Sequence, residues 1–366
     1  MQKTRSALRK HLATVQGTEL HWVSIEPEAA SLAGSAPPLV LLHGLNDSHR
    51  TWRRVAPELA RTRRVLMLDL PGHGLSGRPD APYGVDWYAE IVAAWLSHLG
   101  LAEVDLVGHS YGGGVAQGAL LACRDRVRRL GLVSSGGLGR EVGLPVRLLA
   151  MPHLVERLGQ PLMSHGTRMY LHASPARGGF APEDIAWLSW ANGMPGTARA
   201  TGRTVRDVVG LRGQRRHFME HAHRLELPPV ALFWGDRDRV VPIAHGFELQ
   251  ARTCFVEMTT FMGCGHFPHQ ESPHHFAAAL VRFLDDPHAR PARVRATAHP
   301  ARASSVDAAP SLVPSPACPP PPSRSPPPAS LPTAPTPRPT PEAPGSSRSP
   351  RWASSSATSA RAPSTP

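Results

Sequence analysis

The sequence predicts an α/β fold in which a mostly parallel central sheet is flanked by helices. Three observations predict it. Short apolar runs alternate with amphipathic segments over the first 135 residues, the apolar runs at 38–42 and 65–70 stop in glycine-rich loops, and strand-like runs resume after 225.

Residues 11–25 alternate polar and apolar side chains around Gln16-Gly17, the pattern of a β-hairpin. Residues 38–42 form a short apolar strand ending in His43-Gly44, and 51–59 can form a helix. A second strand at 65–70 runs into Asp69-Leu70-Pro71-Gly72-His73-Gly74. In residues 87–99, Ile91, Val92, Trp95, Leu96 and Leu99 share one helical face. A strand then leads through Gly108-His109-Ser110-Tyr111-Gly112 into a small, apolar helix at 115–123, followed by a strand at 127–133. From 136 to 225 the alternation stops, and mixed segments at 146–158, 182–190 and 201–212 take over. This insertion is expected to be a helical cap, because loops at the carboxyl ends of parallel strands surround the ligand crevice. The core is expected to resume over 226–286, with strands at 230–234 and 255–262 and helices at 247–252 and 273–284.

Composition divides the chain further. Residues 287–366 are rich in proline, alanine, serine, threonine and arginine, and such a segment cannot bury enough apolar surface to offset its ordering entropy. The organisation expected is a flexible start (1–11), a first part of the core (12–135), the cap (136–225), a second part of the core (226–286) and a disordered tail (287–366). The net charge of +12 suggests nucleic acid until it is apportioned. Nine arginines against Asp307 and Glu342 put +7 in the tail and leave +5 for the body, where no basic run is interleaved with aromatics. No nucleic-acid partner is expected, and the oligomeric state is left open. The four cysteines show no C-x-x-C spacing, which fits a reducing, cytoplasmic setting. The charged amino terminus is followed by no apolar run long enough for a signal peptide or a membrane span.

The chemistry concentrates at Gly108-His109-Ser110-Tyr111-Gly112. A strand that turns into a helix within two or three residues strains its corner residue, and only small residues fit two positions to either side. The turn exposes the Ser110 hydroxyl and aims the next amide, that of Tyr111, at the same space. A serine hydroxyl is a weak nucleophile near neutral pH and needs an imidazole base, itself oriented by a carboxylate. Two loops directly after strands offer these groups: Gly235-Asp236-Arg237-Asp238 before Val241-Pro242, and Gly265-His266-Phe267-Pro268-His269. Other histidine pairs, such as His221 and His223 or His274 and His275, lack cysteine or acidic companions at ligand spacing, so no metal is expected.

Together these features resemble the α/β-hydrolase superfamily, specifically its lid-bearing group of serine esterases, lipase-like enzymes and carbon–carbon bond hydrolases. The resemblance rests on the His43-Gly44 turn, the loop from Asp69 to Ser76, the Ser110 elbow, the Gly-Asp-Arg-Asp loop and the Gly-His-Phe-Pro-His loop, and covers roughly 12–286. It implies an α/β-hydrolase fold with Ser110 as nucleophile, His266 as general base and acid, and Asp238, which precedes the Val-Pro pair, as the orienting carboxylate. Asp236 would brace its loop, and His269 and His109 would be neighbours of the site. The oxyanion hole would be the amides of Leu45 and Tyr111, with Asn46 a weaker candidate. His43, Trp187 and Trp190 are candidate substrate contacts, and Met151, Met194 and Tyr170 are further apolar cap residues. The implied reaction is cofactor-free hydrolysis of an ester-type bond in a small, hydrophobic substrate. The alternatives are carbon–carbon hydrolysis of a vinylogous diketone by the same triad, or a non-catalytic interaction protein whose proline-rich tail docks partners.

Overall fold

The structure is a computed structural model, and it describes residues 8–27, 36–149, 154–173, 180–210, 212–215 and 227–294. The expected hairpin is present: β1 (Leu8–Val15) and β2 (Thr18–Ile25) pair antiparallel around Gln16 and Gly17, both at positive φ. β1 starts at Leu8, so residues 8–11 belong to the sheet and not to a flexible start. Their side chains are largely exposed, and backbone pairing with β2 holds them.

Strands β3 (Leu39–Leu42) and β4 (Val65–Leu68) are fully buried, and so is β5 (Val104–His109). With β6 (Val127–Val133), β9 (Val230–Gly235) and β11 (Val256–Phe261) they build one eight-stranded sheet in the order β1-β2-β4-β3-β5-β6-β9-β11. From β4 to β11 every pairing is parallel, and only the β1–β2–β4 edge is antiparallel. Strands buried on both faces read as continuous apolar runs, which is why β3, β4 and β5 were legible without alternation.

Helices cover both faces. α1 (Ala56–Leu59) is shorter than the helix expected over 51–59, because a 3-10 turn, His49–Trp52, takes the first two of those residues and a turn the next three. α2 (Val85–His98) and α3 (Tyr111–Ala122) pack one side of the sheet, where Tyr88, Ile91, Val92 and Trp95 meet Val115, Ala119 and Leu106. The insertion after β6 holds α4 (Leu144–Leu149), α5 (Leu154–Leu158), α6 (Met163–Ala173), α7 (Pro182–Asn192) and α8 (Thr197–Val208). A two-residue hairpin follows, β7 (Val209–Gly210) with β8 (Gly213–Gln214). α9 (Ala244–Arg252), β10 (Thr253–Cys254), α10 (Pro268–Glu271) and α11 (Pro273–Asp285) complete the core, and Phe276, Leu280 and Phe283 bury α11 against Phe233.

The ordered body also runs past the boundary expected at 286. Residues 287–294 are described, β12 (Arg293–Val294) pairs with β10, and the Ala292 amide donates to the carbonyl of Pro228. Backbone pairing does not depend on the proline-rich composition that set the expected boundary. The rest of the expected tail, and Met151, His221 and His223, lie outside the described residues. No helix among the described residues is long and apolar enough to cross a membrane.

Candidate active site

β5 ends at His109 and α3 begins at Tyr111, leaving Ser110 as the corner with φ 53° and ψ −118°. A non-glycine residue at positive φ is strained, and such strain persists only where the surroundings over-determine it. Here the Ser110 amide donates to the carbonyl of Val133 (2.9 Å), and the Ser110 carbonyl accepts from Gly136 (3.0 Å). The flanking glycines are sterically required. A Cβ at Gly108 would fall 2.2 Å from the carbonyl oxygen of Gly112, and one at Gly112 would fall 2.3 Å from that of His43.

The loops after β9 and β11 bring the other two residues to this corner. Ser110 Oγ lies 2.9 Å from Nε2 of His266, positioned to donate to it. His266 Nδ1 donates to Oδ2 of Asp238 at 2.8 Å. The other carboxylate oxygen of Asp238 accepts from the amides of Val240 (2.8 Å) and Val241 (3.0 Å), which fixes its plane. Burial opposes ionisation of Asp238, but His266 and these two amides outweigh it and hold its pKa below the usual carboxylate range. Asp236, on the same loop, accepts instead from the amide of Gly263 (2.6 Å).

Two further histidines lie against His266. His109 donates from Nε2 to the carbonyl oxygen of His266 (2.9 Å), and its ring sits 4.9 Å from that of His266. Burial, then the neighbouring His269 and His266, hold His109 well below the ordinary imidazole range, so it is neutral. His269 is bonded through Nε2 to Thr51 Oγ1 (2.9 Å), and burial brings its pKa down to about 3.

The loop after β3 runs beside Ser110. A Cβ on Gly44 would lie 3.2 Å from Cβ of Ser110, so the backbone entering Leu45 passes close to the hydroxyl. Leu45 and Tyr111 both line a cavity of about 1000 Å³ that also contains Ser110 and His266. Its wall is mostly aliphatic, from Val142, Val155, Leu158, Met163, Val205 and Val208 among others, with Tyr170, Phe180 and Phe267. Asp47 reaches the same wall, where burial pushes its carboxyl up to about 7.

His43, Trp187 and Trp190, expected as substrate contacts, do not line this cavity. His43 is fully buried, donating from Nδ1 to the Gly44 carbonyl (2.8 Å) and accepting the Leu70 amide at Nε2 (2.9 Å). It braces one loop against the next, and burial lowers its pKa to about 4. Trp187 is partly buried, meeting His49 edge-on with Arg50 over its ring and packing behind Phe180 and Leu188, and Trp190 is exposed. Apolar residues lie all round α7, so its pattern sets no register for Trp187 and Trp190. Met194 is also off the wall, whereas Tyr170 is on it.

Sequence reasoning undervalued Asn46. It has φ 55°, its carbonyl accepts from Asn192 (2.8 Å), and its side-chain oxygen accepts from Thr201 (2.6 Å), so it ties the loop after β3 to α7 and α8. Asparagine beside a glycine turn was the available signal, since asparagine tolerates this backbone region. Arg78, Arg203 and Asp207 add further bonds between core loops and α7 or α8.

Among the described residues, His21, His49 and Asp69 are the one group with metal-ligand chemistry, their ligand atoms lying within 4.8 Å of one another. Both oxygens of Asp69 are already engaged, by the amides of His49 (2.6 Å) and Leu75 (3.0 Å) and by Nδ1 of each histidine. That is a brace for the loop after β4, where the carboxylate also fills the space a Cβ at Gly74 would need.

The fold agrees with comparisons to known proteins. A family profile described as "alpha/beta hydrolase fold" matches residues 37–273. The chain belongs to the alpha/beta hydrolase fold family. It is 34% identical over 269 residues to an uncharacterized protein of Mycobacterium tuberculosis (strain ATCC 25618 / H37Rv), covering 70% of this chain and 78% of that one. It is 30% identical over 293 residues to a soluble epoxide hydrolase of Corynebacterium sp. (strain C12), covering 75% and 96%. A 2-hydroxy-6-oxo-2,4-heptadienoate hydrolase of Pseudomonas putida is 39% identical over 267 residues, covering 69% and 90%. Among solved structures, the esterase RhEst1 from Rhodococcus sp. ECU1013 superimposes with a TM-score of 0.60 at 25% identity, covering 76% of this chain and 98% of the esterase. This alpha/beta hydrolase is therefore a hydrolase by family.

Proposed function

We propose that this hydrolase is a serine esterase acting on hydrophobic, aliphatic acyl esters, with Ser110 as nucleophile, His266 as base and Asp238 as its orienting carboxylate. The observation that carries the reading is the unbroken hydrogen-bonded chain from Ser110 through His266 to Asp238 on the wall of an aliphatic cavity. The Ser110 oxygen attacks the ester carbonyl carbon while its proton passes to Nε2 of His266. The amides of Leu45 and Tyr111 receive the negative charge that develops on the carbonyl oxygen. His266 returns the proton to the departing alcohol, leaving the acyl group on Ser110. Water then attacks that acyl carbon, gives a proton to His266, and the carboxylic acid leaves as the proton returns to Ser110. The helices of the insertion act as a cap that keeps bulk water from the acyl chain.

The lining supports an acyl chain more than a ring, because branched aliphatic side chains dominate it. A serine at the elbow argues against epoxide opening, where an aspartate would attack. The similarity to the Pseudomonas putida hydrolase supports a second reading, carbon–carbon hydrolysis by the same three residues.

The test is turnover of p-nitrophenyl esters of graded chain length, beside a vinylogous diketone, by wild type and Ser110→Ala. Ester turnover that rises with chain length and disappears in Ser110→Ala is the expected result. Diketone turnover without ester turnover would move the assignment to the second reading. Labelling by a fluorophosphonate with neither activity would leave only the nucleophile standing.

A further inference from the structure

Helix α6 faces solvent with its apolar side. At 100° per residue, Gly166, Met169 and Ala173 fall on one arc of about 60°, and Leu162, in the turn just before the helix, continues it. All four are exposed, Leu162 at 66% and Met169 at 60%. The opposite side carries Leu171, which is buried with Phe180, Ile185, Leu188 and Phe267. A helix that already has a buried apolar side does not need a second one facing water, and an exposed apolar stripe on a soluble body marks an interaction surface.

Two observations identify the occupant. The first is position. Leu158, Leu162, Gly166 and Tyr170 are exposed and also line the cavity that holds Ser110, so the stripe borders the cavity mouth. Whatever covers the stripe therefore faces the entrance. The second is charge. The eleven residues of α6 contain no Asp or Glu, and the exposed Arg168, His165 and His172 flank the stripe. An apolar strip flanked by an arginine, on a helix that carries no carboxylate, complements an anionic lipid surface, which accepts apolar side chains at the acyl boundary and attracts the arginine to its headgroups.

We propose that the α6 stripe Leu162–Gly166–Met169–Ala173, with Tyr170 beside it, docks this protein on anionic lipid surfaces and sets the cavity mouth against the acyl layer. The docking stands apart from the role proposed for Ser110, since it is read by binding and not by turnover.

The test is sedimentation of the full chain with phosphatidylcholine vesicles, with and without a minority of phosphatidylglycerol, for wild type and the double variant Met169→Glu, Ala173→Glu. Neither residue lines the cavity. The wild type is expected to bind the phosphatidylglycerol vesicles, and the double variant to lose at least about tenfold in partitioning, with unchanged circular dichroism and thermal midpoint. Should the double variant fail to fold, Met169→Ser is expected to show an intermediate loss. Three results would overturn the proposal. One is wild type found only in the supernatant. Equal binding by wild type and variant would assign the lipid contact to the arginine-bearing residues 287–366. Self-association in the absence of vesicles, lost in the variant, would make the stripe an interface between two copies.

Discussion

His109 hydrogen-bonds through Nε2 to the backbone carbonyl of His266 at 2.9 Å, so the residue before the elbow serine holds the backbone of the residue that faces it. This contact fixes where the imidazole of His266 sits without touching its ring nitrogens. A small displacement of a base from its nucleophile costs rate more than binding. His109→Ala is therefore expected to lower kcat by about tenfold or more while leaving KM within a factor of about two, and His109→Gln, which keeps a donor, should recover much of the loss. Steady-state kinetics on one ester would check this. A change confined to KM would mean that His109 acts on the substrate pocket instead.

Asp238 spends one oxygen on two backbone amides and the other on His266. An Asn in its place keeps the size but presents an amide that competes with the Nδ1 donor of His266. Asp238→Asn is expected to reduce kcat by roughly 10³- to 10⁴-fold. Asp236→Asn, which alters only the bond to Gly263, should stay within about tenfold of wild type by the same measure. Equal losses in the two variants would argue against the assignment of Asp238.

The elbow is a packing constraint as much as a chemical one. With backbone oxygen 2.3 Å from the position of a Cβ, Gly112→Ala cannot be absorbed by a side-chain rotation and must shift the loop carrying His43. A loss of about 2 kcal/mol or more in unfolding free energy is expected, measured by urea titration. Gly114→Ala, where a Cβ meets open space, is the control and should be neutral or slightly stabilising because alanine favours a helix.

Stability should depend on pH through buried imidazoles. Burial lowers the pKa of His43 to about 4 and those of His73 and His269 to about 3, from 6.5. The folded state therefore holds these rings neutral where the unfolded chain would protonate them. Their contribution is fully present above about pH 6.5 and is lost as the pH falls toward 4 and then 3. Each contributes a slope of up to about 1.4 kcal/mol per pH unit in that window. Calorimetry between pH 7 and pH 5 should show a falling thermal midpoint and net proton uptake on unfolding. A midpoint independent of pH over that range would contradict this account.

Much of the site was legible because its residues occupy ends of strands. The runs at β3 and β9 are apolar throughout and those at β5 and β11 mostly so or bounded by apolar residues, and each is followed within a few residues by glycine and a polar group, so the loops carrying Gly44, Ser110, Asp238 and His266 could be placed in order along the sheet. Why the three side chains meet was not legible: Asp238 and His266 are 28 residues apart, and Ser110 and His266 are 156 apart.

By itself, the sequence determined the α/β alternation, the small residues around Ser110 and the candidate groups for the proposed acyl chemistry. These are local properties, set by side-chain period, by the space next to a sharp turn and by functional-group reactivity. Only the tertiary structure decided which side of each inserted helix meets the cavity. It left His43, Trp187 and Trp190 off the cavity wall, made Asn46 a tie to α7 and α8, and left the apolar stripe of α6 facing water. The reason is geometric. A helix can satisfy its own backbone in any rotation about its axis, so its orientation is chosen by the surfaces it packs against.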